Sequence, residues 1–162
     1  MHKTAGVTDA FQRRMKNMDL RELTAPCGLD CFNCLFFLAN ENEEIRKQMA
    51  LKVQEFGLPL SYEEIYEKVA CGGCKKRNGV PPFGTEPCKV SKCISPKGID
   101  SCADCSDFPC DNLHPYADMA SVFPHNMKVF NLALIRKMGV EKWAQEKAKN
   151  VRETYFRGKW NI

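Results

Sequence analysis

The sequence predicts a mainly α fold, a helical scaffold around an irregular cysteine-rich metal-binding loop region. Three observations predict it. Apolar residues recur at helical spacing on both sides of the chain's middle, and nothing after Cys34 reads as alternating strands and helices. All ten cysteines lie between Cys27 and Cys110. The stretch from Cys71 to Pro109 is broken by Gly72, Gly73, Gly79, Pro81, Pro82, Gly84, Pro87, Pro96 and Gly98, so no helical or strand period survives in it. A loop of that length needs something other than hydrogen-bonded elements to order it, and metal ions can do so.

The elements follow in order. A short helix is expected from Asp9 to Met18, with Thr8 or Asp9 as N-cap and Phe11, Met15 and Met18 on one stripe. Arg13, Arg14 and Lys16 fall on its wet face, and Pro26 ends the pattern. Phe32 to Ala39 is apolar enough for a buried turn or two of helix. An amphipathic helix is expected from Asn40 to Phe56, with Ile45, Met49, Val53 and Phe56 inward, Glu41, Glu43 and Glu44 in the first turn, and Gly57 at its end. Ser61-Tyr62-Glu63-Glu64 has capping-box spacing, so Ser61 should start a helix that runs to about Ala70 and delivers Cys71.

Beyond the cysteines, Pro124 suits a helix start, and Met127, Phe130 and Leu134 form a stripe that Gly139 interrupts. A last helix from Val140 places Trp143, Ala144, Ala148, Val151 and Tyr155 on one face. Glu141, Lys142, Glu146, Lys149 and Arg152 then lie mainly outside, and the tail from Phe156 to Ile162 is expected to be frayed or docked only by Trp160. The organisation expected is an N-terminal extension, residues 1–24, and a single cysteine-rich domain, residues 25–162, ending in a helical pair.

Composition supports a metal-stabilised domain. The hydrophobic share of 44% includes the cysteines, and without them it falls to about 38%, low for a domain held by apolar burial alone. The N-terminus shows no apolar secretory core, and the longest apolar run, Leu35 to Ala39, cannot span a bilayer. A cytoplasmic location is expected, where disulfides do not persist and dense cysteines bind metal. The competing reading is a secreted disulfide scaffold, which the starting Met and the length of the chain disfavour.

The cysteines are grouped as Cys27-x3-Cys31-x2-Cys34, Cys71-x2-Cys74, Cys88-x4-Cys93 and Cys102-x2-Cys105-x4-Cys110. A two-residue spacer lets two sulfurs reach one ion while the intervening amides point at the thiolates. A redox dithiol would need a βαβ setting that is absent. Four thiolates suit zinc, so eight cysteines make two sites, and His114 is a candidate to complete a third. The alternative is an iron-sulfur cluster serving electron transfer. The Cys27 triplet also has the spacing of radical S-adenosylmethionine enzymes, but the barrel those enzymes need is missing. An open metal position at Cys27, Cys31 and Cys34 would make a metalloenzyme, whereas a fourth cysteine would close it.

The partition of ligands stays open. Cys71 and Cys74 can join Cys88 and Cys93 in sequence, or Cys102 and Cys105 across it, and economy of loop closure leans only slightly to the first. Lys75-Lys76-Arg77 and the basic residues of the last helix read as offsets to thiolate charge, and a nucleic-acid partner is not expected. Eight thiolates with two divalent ions would carry a net charge of about −4, which cancels the formal +4. Asp30, Asn33, His125 and Asn126 pair with no nucleophile or second acid in sequence, so no catalytic residue is assigned.

The runs Pro26-Cys27-Gly28-Leu29-Asp30-Cys31, Cys71-Gly72-Gly73-Cys74-Lys75, Cys88-x4-Cys93, Lys97-Gly98-Ile99, Cys102-x2-Cys105 and Phe108-Pro109-Cys110 appear in that order. Together with Ile135 to Trp143 they resemble a prokaryotic family of small cysteine-rich proteins of unknown function, described as zinc-binding. The resemblance covers about Ala25 to Asn150. It implies a cysteine-ligated metal and no assigned reaction, with Cys27, Cys31, Cys34, Cys71, Cys74, Cys88, Cys93, Cys102, Cys105 and Cys110 matching the family's cysteines. The resulting expectation is a zinc protein with two or three mainly structural ions, serving as a binding or adaptor module for a protein partner. Removing the metal is expected to loosen residues 71–110 and leave the last two helices intact.

Overall fold

The computed structural model describes residues 14–118 and 120–157. Among these the chain is helical, with no strand and a single isolated bridge between Thr24 and Asp30. The mainly α expectation holds. The start of the expected first helix, with Thr8, Asp9, Phe11 and Arg13, lies outside the described residues, as does Trp160. Residues 14–16 are helical, and Met15 is buried.

Two apolar cores organise the molecule. The larger gathers Met15, Leu20 and Leu23 with Phe32, Val90, Ile94, Leu132, Ile135 and Trp143, and Phe32 meets Trp143 edge to face at 6.0 Å. The smaller holds Met49, Ala50, Val53, Ile65 and Val69, the facing residues of a helical hairpin, with Leu35, Phe36 and Phe83 packed against it. No cysteine belongs to the smaller core, whereas Cys27 and Cys102 are part of the larger one. The apolar and thiol-bearing surfaces are therefore buried together.

The hairpin's first helix is Glu43–Gln54, shorter at both ends than the apolar period suggests. Asn42 caps it, its side-chain oxygen accepting the Ile45 amide at 3.1 Å, and Glu41 stays outside to pair with Arg14. Phe56 falls beyond the helix end and is exposed. The partner helix, Tyr62–Lys68, starts as expected. Ser61 Oγ accepts the Glu64 amide, and the Glu64 carboxylate accepts the Ser61 amide at 2.8 Å.

The loop region contains more structure than its glycines and prolines suggest. An α-helix, Lys89–Ile94, runs through it, followed by the 3-10 turns Ser95–Lys97 and Cys102–Asp104. Only Val90 and Ile94 of that helix are buried, a pair one turn apart that is too short to register as a period. This corrects the expectation of an irregular stretch from Cys71 to Pro109.

The Lys128–Met138 helix follows the 3-10 turn Pro124–Met127, and Gly139, at φ +82°, ends it. Its buried face is Lys128, Asn131, Leu132 and Ile135. The expected stripe is displaced: Met127 is buried, but Phe130 stands 57% exposed. The next helical stretch begins at Val140–Trp143, passes through a π turn at Ala144–Ala148 and ends as Lys149–Tyr155. A π turn adds one residue to the helix, which rotates everything after it by about 100°. Arg152, expected on the wet face, is thereby turned inward. No described helix is long and apolar enough to cross a membrane.

Candidate metal centre

Cys27, the first cysteine of its cluster, sits in a tight loop between Thr24 and Asp30. The Ala25 amide donates to the Leu29 carbonyl at 2.8 Å, and the Gly28 amide donates back to the Ala25 carbonyl. Gly28, at φ +82°, presses on the Lys128–Met138 helix so closely that a Cβ would come within 2.8 Å of Leu132 Cγ. A side chain there is excluded both by conformation and by space. The buried Asn131 amide donates to the Gly28 carbonyl at 2.8 Å and fixes the loop to that helix.

Cys31 opens the 3-10 turn Cys31–Asn33 and Cys34 follows it, and at its base is an ion pair invisible in the sequence. Asp30 is fully buried, and Arg152 Nε donates to both of its carboxylate oxygens, at 3.0 and 2.9 Å. The Asn33 amide donates to the same carboxylate at 3.0 Å. The last helix thus anchors the first cysteine loop.

The other cysteine segments are stitched to this loop through the backbone. The Cys102 amide donates to the Pro26 carbonyl at 2.9 Å, and the Cys71 amide donates to the Phe36 carbonyl at 2.8 Å. The Asn40 side chain donates to the Cys71 carbonyl. The Gly79 amide donates to the Cys74 carbonyl and the Cys88 amide donates to the Gly79 carbonyl, each near 3.0 Å, which folds the glycine-rich and proline-rich segment back on itself.

All ten thiols are free. Cys93, Cys102, Cys105 and Cys110 line one cavity of about 150 Å³, together with Lys97, Asp107 and Phe108. Cys27, Cys31, Cys34, Cys71, Cys74 and Cys88 are near enough that negative charge on one opposes ionisation of another: Cys27, Cys88 and Cys71 act on Cys74, and Cys34, Cys74 and Cys27 on Cys31, while Cys27 also acts on Cys102. Cys34 and Cys71 stand beside Cys31 and Cys74 respectively. Cys93 thus shares a cavity with Cys102, Cys105 and Cys110, Cys74 lies near the first loop, and Cys27 adjoins both groups.

Backbone amides aim at several sulfurs. Cys27 accepts from the Leu29 amide, Cys31 from the Cys74 amide, and Cys34 from the Phe36 and Phe37 amides. Such donors favour the thiolate. Burial opposes it more strongly, and pushes the Cys74 and Cys102 thiols up to about 12 and the Cys27 and Cys34 thiols well above their usual range. Burial thus favours the neutral thiol at each of them, even where a cationic side chain stands nearby.

Cations do approach them. Lys97 Nζ lies 3.5 Å from Cys105 Sγ and 2.6 Å from an Asp107 carboxylate oxygen. The buried Lys128 favours charge on Cys27, and Arg152 favours it on Cys34. Arg136 donates to the carbonyls of Ala103, at 2.8 Å, and Cys105, at 2.7 Å, which clamps the Cys102–Cys105 loop. Of these, only an offset to thiolate charge from the last helix is legible in the sequence, and Arg152 is the residue that supplies it. The Lys97-Gly98-Ile99 run is visible in the sequence, but the contact of Lys97 with Cys105 depends on the turn that follows the Lys89–Ile94 helix.

The donor chemistry of the four thiols around the cavity fits a soft divalent cation. The spacing is wider than a closed site: among the described residues no three His, Cys, Asp or Glu side chains stand close enough together to hold an ion. His114 is exposed beside Asp111 and does not line the cavity. His125 packs edge-on against Tyr116, and Asn126 ties the Tyr116 backbone through its amide and carbonyl. Arg77 donates to the carbonyls of Val80 and Pro81, a structural role.

A family model described as a protein of unknown function, DUF3795, matches residues 23–115. The chain belongs to that family. The matched span begins at Leu23 and ends at Pro115, so it takes in all ten cysteines of this DUF3795 chain but not the Lys128–Met138 helix that supports them. No curated protein and no solved structure matches it.

Proposed function

We propose that this DUF3795 chain is a thiolate metal-binding protein in which zinc serves structure, and that the stabilised fold acts as a cytoplasmic binding or adaptor module. The observation that carries this reading is the meeting of Cys93, Cys102, Cys105 and Cys110 around one cavity, from three different local structures. The proximity of Cys27, Cys31, Cys34, Cys71, Cys74 and Cys88 supports a second ion, held by four of these six. Binding must draw the sulfurs of each set inward and release their protons, so affinity rises with pH.

Four-thiolate zinc sites are closed and contribute folding free energy, on the order of 10 kcal/mol in favourable cases. Support for a module that docks a protein partner comes from Leu51, Phe56 and Leu58, which remain exposed at one end of the hairpin.

Metal analysis of anaerobically purified protein, with a visible spectrum, tests the reading. Colourless protein with two zinc ions per chain is the expected result. A brown protein with stoichiometric iron and sulfide overturns zinc in favour of a cluster, and metal-free, fully folded protein overturns both.

A further inference from the structure

The geometry points to Lys97 as the positioning residue of the site formed by Cys93, Cys102, Cys105 and Cys110: its ammonium donates to the Cys105 sulfur, holds that thiolate toward the cavity and shields it from electrophiles. This rests on the metal-binding reading and adds a residue that is not itself a ligand. Lys97 closes the 3-10 turn Ser95–Lys97, which continues directly from the helix that carries Cys93. Gly98 then adopts a left-handed conformation, φ +62°, and reverses the chain. The Lys97 side chain is thereby set along the wall of the cavity.

Two contacts define what the ammonium does there. It stands 3.5 Å from Cys105 Sγ, within range for a donor to sulfur, and 2.6 Å from Asp107, whose carboxylate fixes its position. Arg136 holds the Cys105 carbonyl at 2.7 Å, so Cys105 is restrained at its backbone by one cation and at its sulfur by another. A divalent ion with four thiolates carries a net charge of about −2; because Asp107 balances the ammonium, its effect is a local one on the Cys105 sulfur. A charge-assisted donor also withdraws electron density from sulfur, which lowers its nucleophilicity. Lys97 therefore both retains the ion and protects one of its ligands.

The test compares the full-length chain with Lys97→Met and Lys97→Arg, each loaded with zinc. Zinc affinity is measured by competition with a chelator. Alkylation by iodoacetamide is followed at individual cysteines by mass spectrometry. Loss of an outer partner of a metal ligand costs about 10- to 100-fold in affinity. Lys97→Met is expected to lose about that much at the site and to speed alkylation of Cys105 by about tenfold, with Lys97→Arg retaining most of both properties. Cys34, whose sulfur is held by backbone amides, is the internal reference. Unchanged affinity and Cys105 reactivity in Lys97→Met overturn the inference, as does an equal rise at Cys34, which marks general loosening. Should Lys97→Met fail to fold, equal Cys105 protection in Lys97→Gln, which keeps a donor without charge, and the wild type overturns the role of charge. A native chain that takes up no zinc overturns the metal reading itself.

Discussion

At the scale of single residues, the contact of greatest consequence is the buried pair of Asp30 and Arg152. Asp30 has no exposed surface, and Arg152 is only 15% exposed along its side chain, so little solvent screens the pair. Removing one partner of such a pair leaves an uncompensated charge and costs about 3–5 kcal/mol. Arg152→Met is therefore expected to lower stability by about that amount, measured by chemical denaturation. Combining it with Asp30→Asn should recover part of the loss, because the orphaned carboxylate is gone. A double variant as unstable as the sum of the singles would show that the two residues act independently. Sequence reading placed Asp30 in the first cluster but gave it no partner. The partner lies in another helix, and its inward aim depends on a π turn that a uniform helical period cannot anticipate. Lys97 and Arg136 were obscure for a related reason, since their targets are a sulfur and two carbonyls whose positions depend on the folded loops.

At the scale of elements, local signals with their own chemistry are legible in the sequence. The capping box at Ser61 satisfies two helix-end amides reciprocally, and both bonds form. Ser61→Ala should cost about 1 kcal/mol, seen as a lower denaturation midpoint with an unchanged slope. A change of slope would mean instead that the hairpin had already come apart in the native state. Gly139 and Pro124 punctuate the chain as their backbone preferences require. The Lys89–Ile94 helix was missed because it is one and a half turns long and bounded by Pro87 and Pro96. The burial of Val90 and Ile94 against the larger core, rather than intrinsic periodicity, holds it in place. The Phe130 stripe was misplaced because Lys128 and Asn131 occupy the inner face. Asn131 is needed there to hold the Gly28 carbonyl, a requirement of the site rather than of the helix.

At the scale of the whole molecule, the two cores differ in their dependence on the cysteines, and this redirects the expected effect of metal removal. The last helices are not independent of the cysteine loops. Asn131 holds Gly28, Arg136 holds Ala103 and Cys105, and Arg152 holds Asp30. The hairpin of Glu43–Gln54 and Tyr62–Lys68 is closed by Met49, Val53, Ile65 and Val69, without a thiol among them. If zinc orders the loops, chelation should raise hydrogen exchange across residues 88–110 and carry the Lys128–Met138 helix with it, since the clamps on that helix lose their targets. The hairpin amides should change least, because their protecting contacts are largely local. Exchange that rises in residues 88–110 while Lys128–Met138 stays protected would restore the simpler picture, in which the terminal helices fold on their own. No change in residues 88–110 would instead show that the two apolar cores suffice to hold the loops. The thiols would then owe their burial to packing, and the metal would contribute little to the fold.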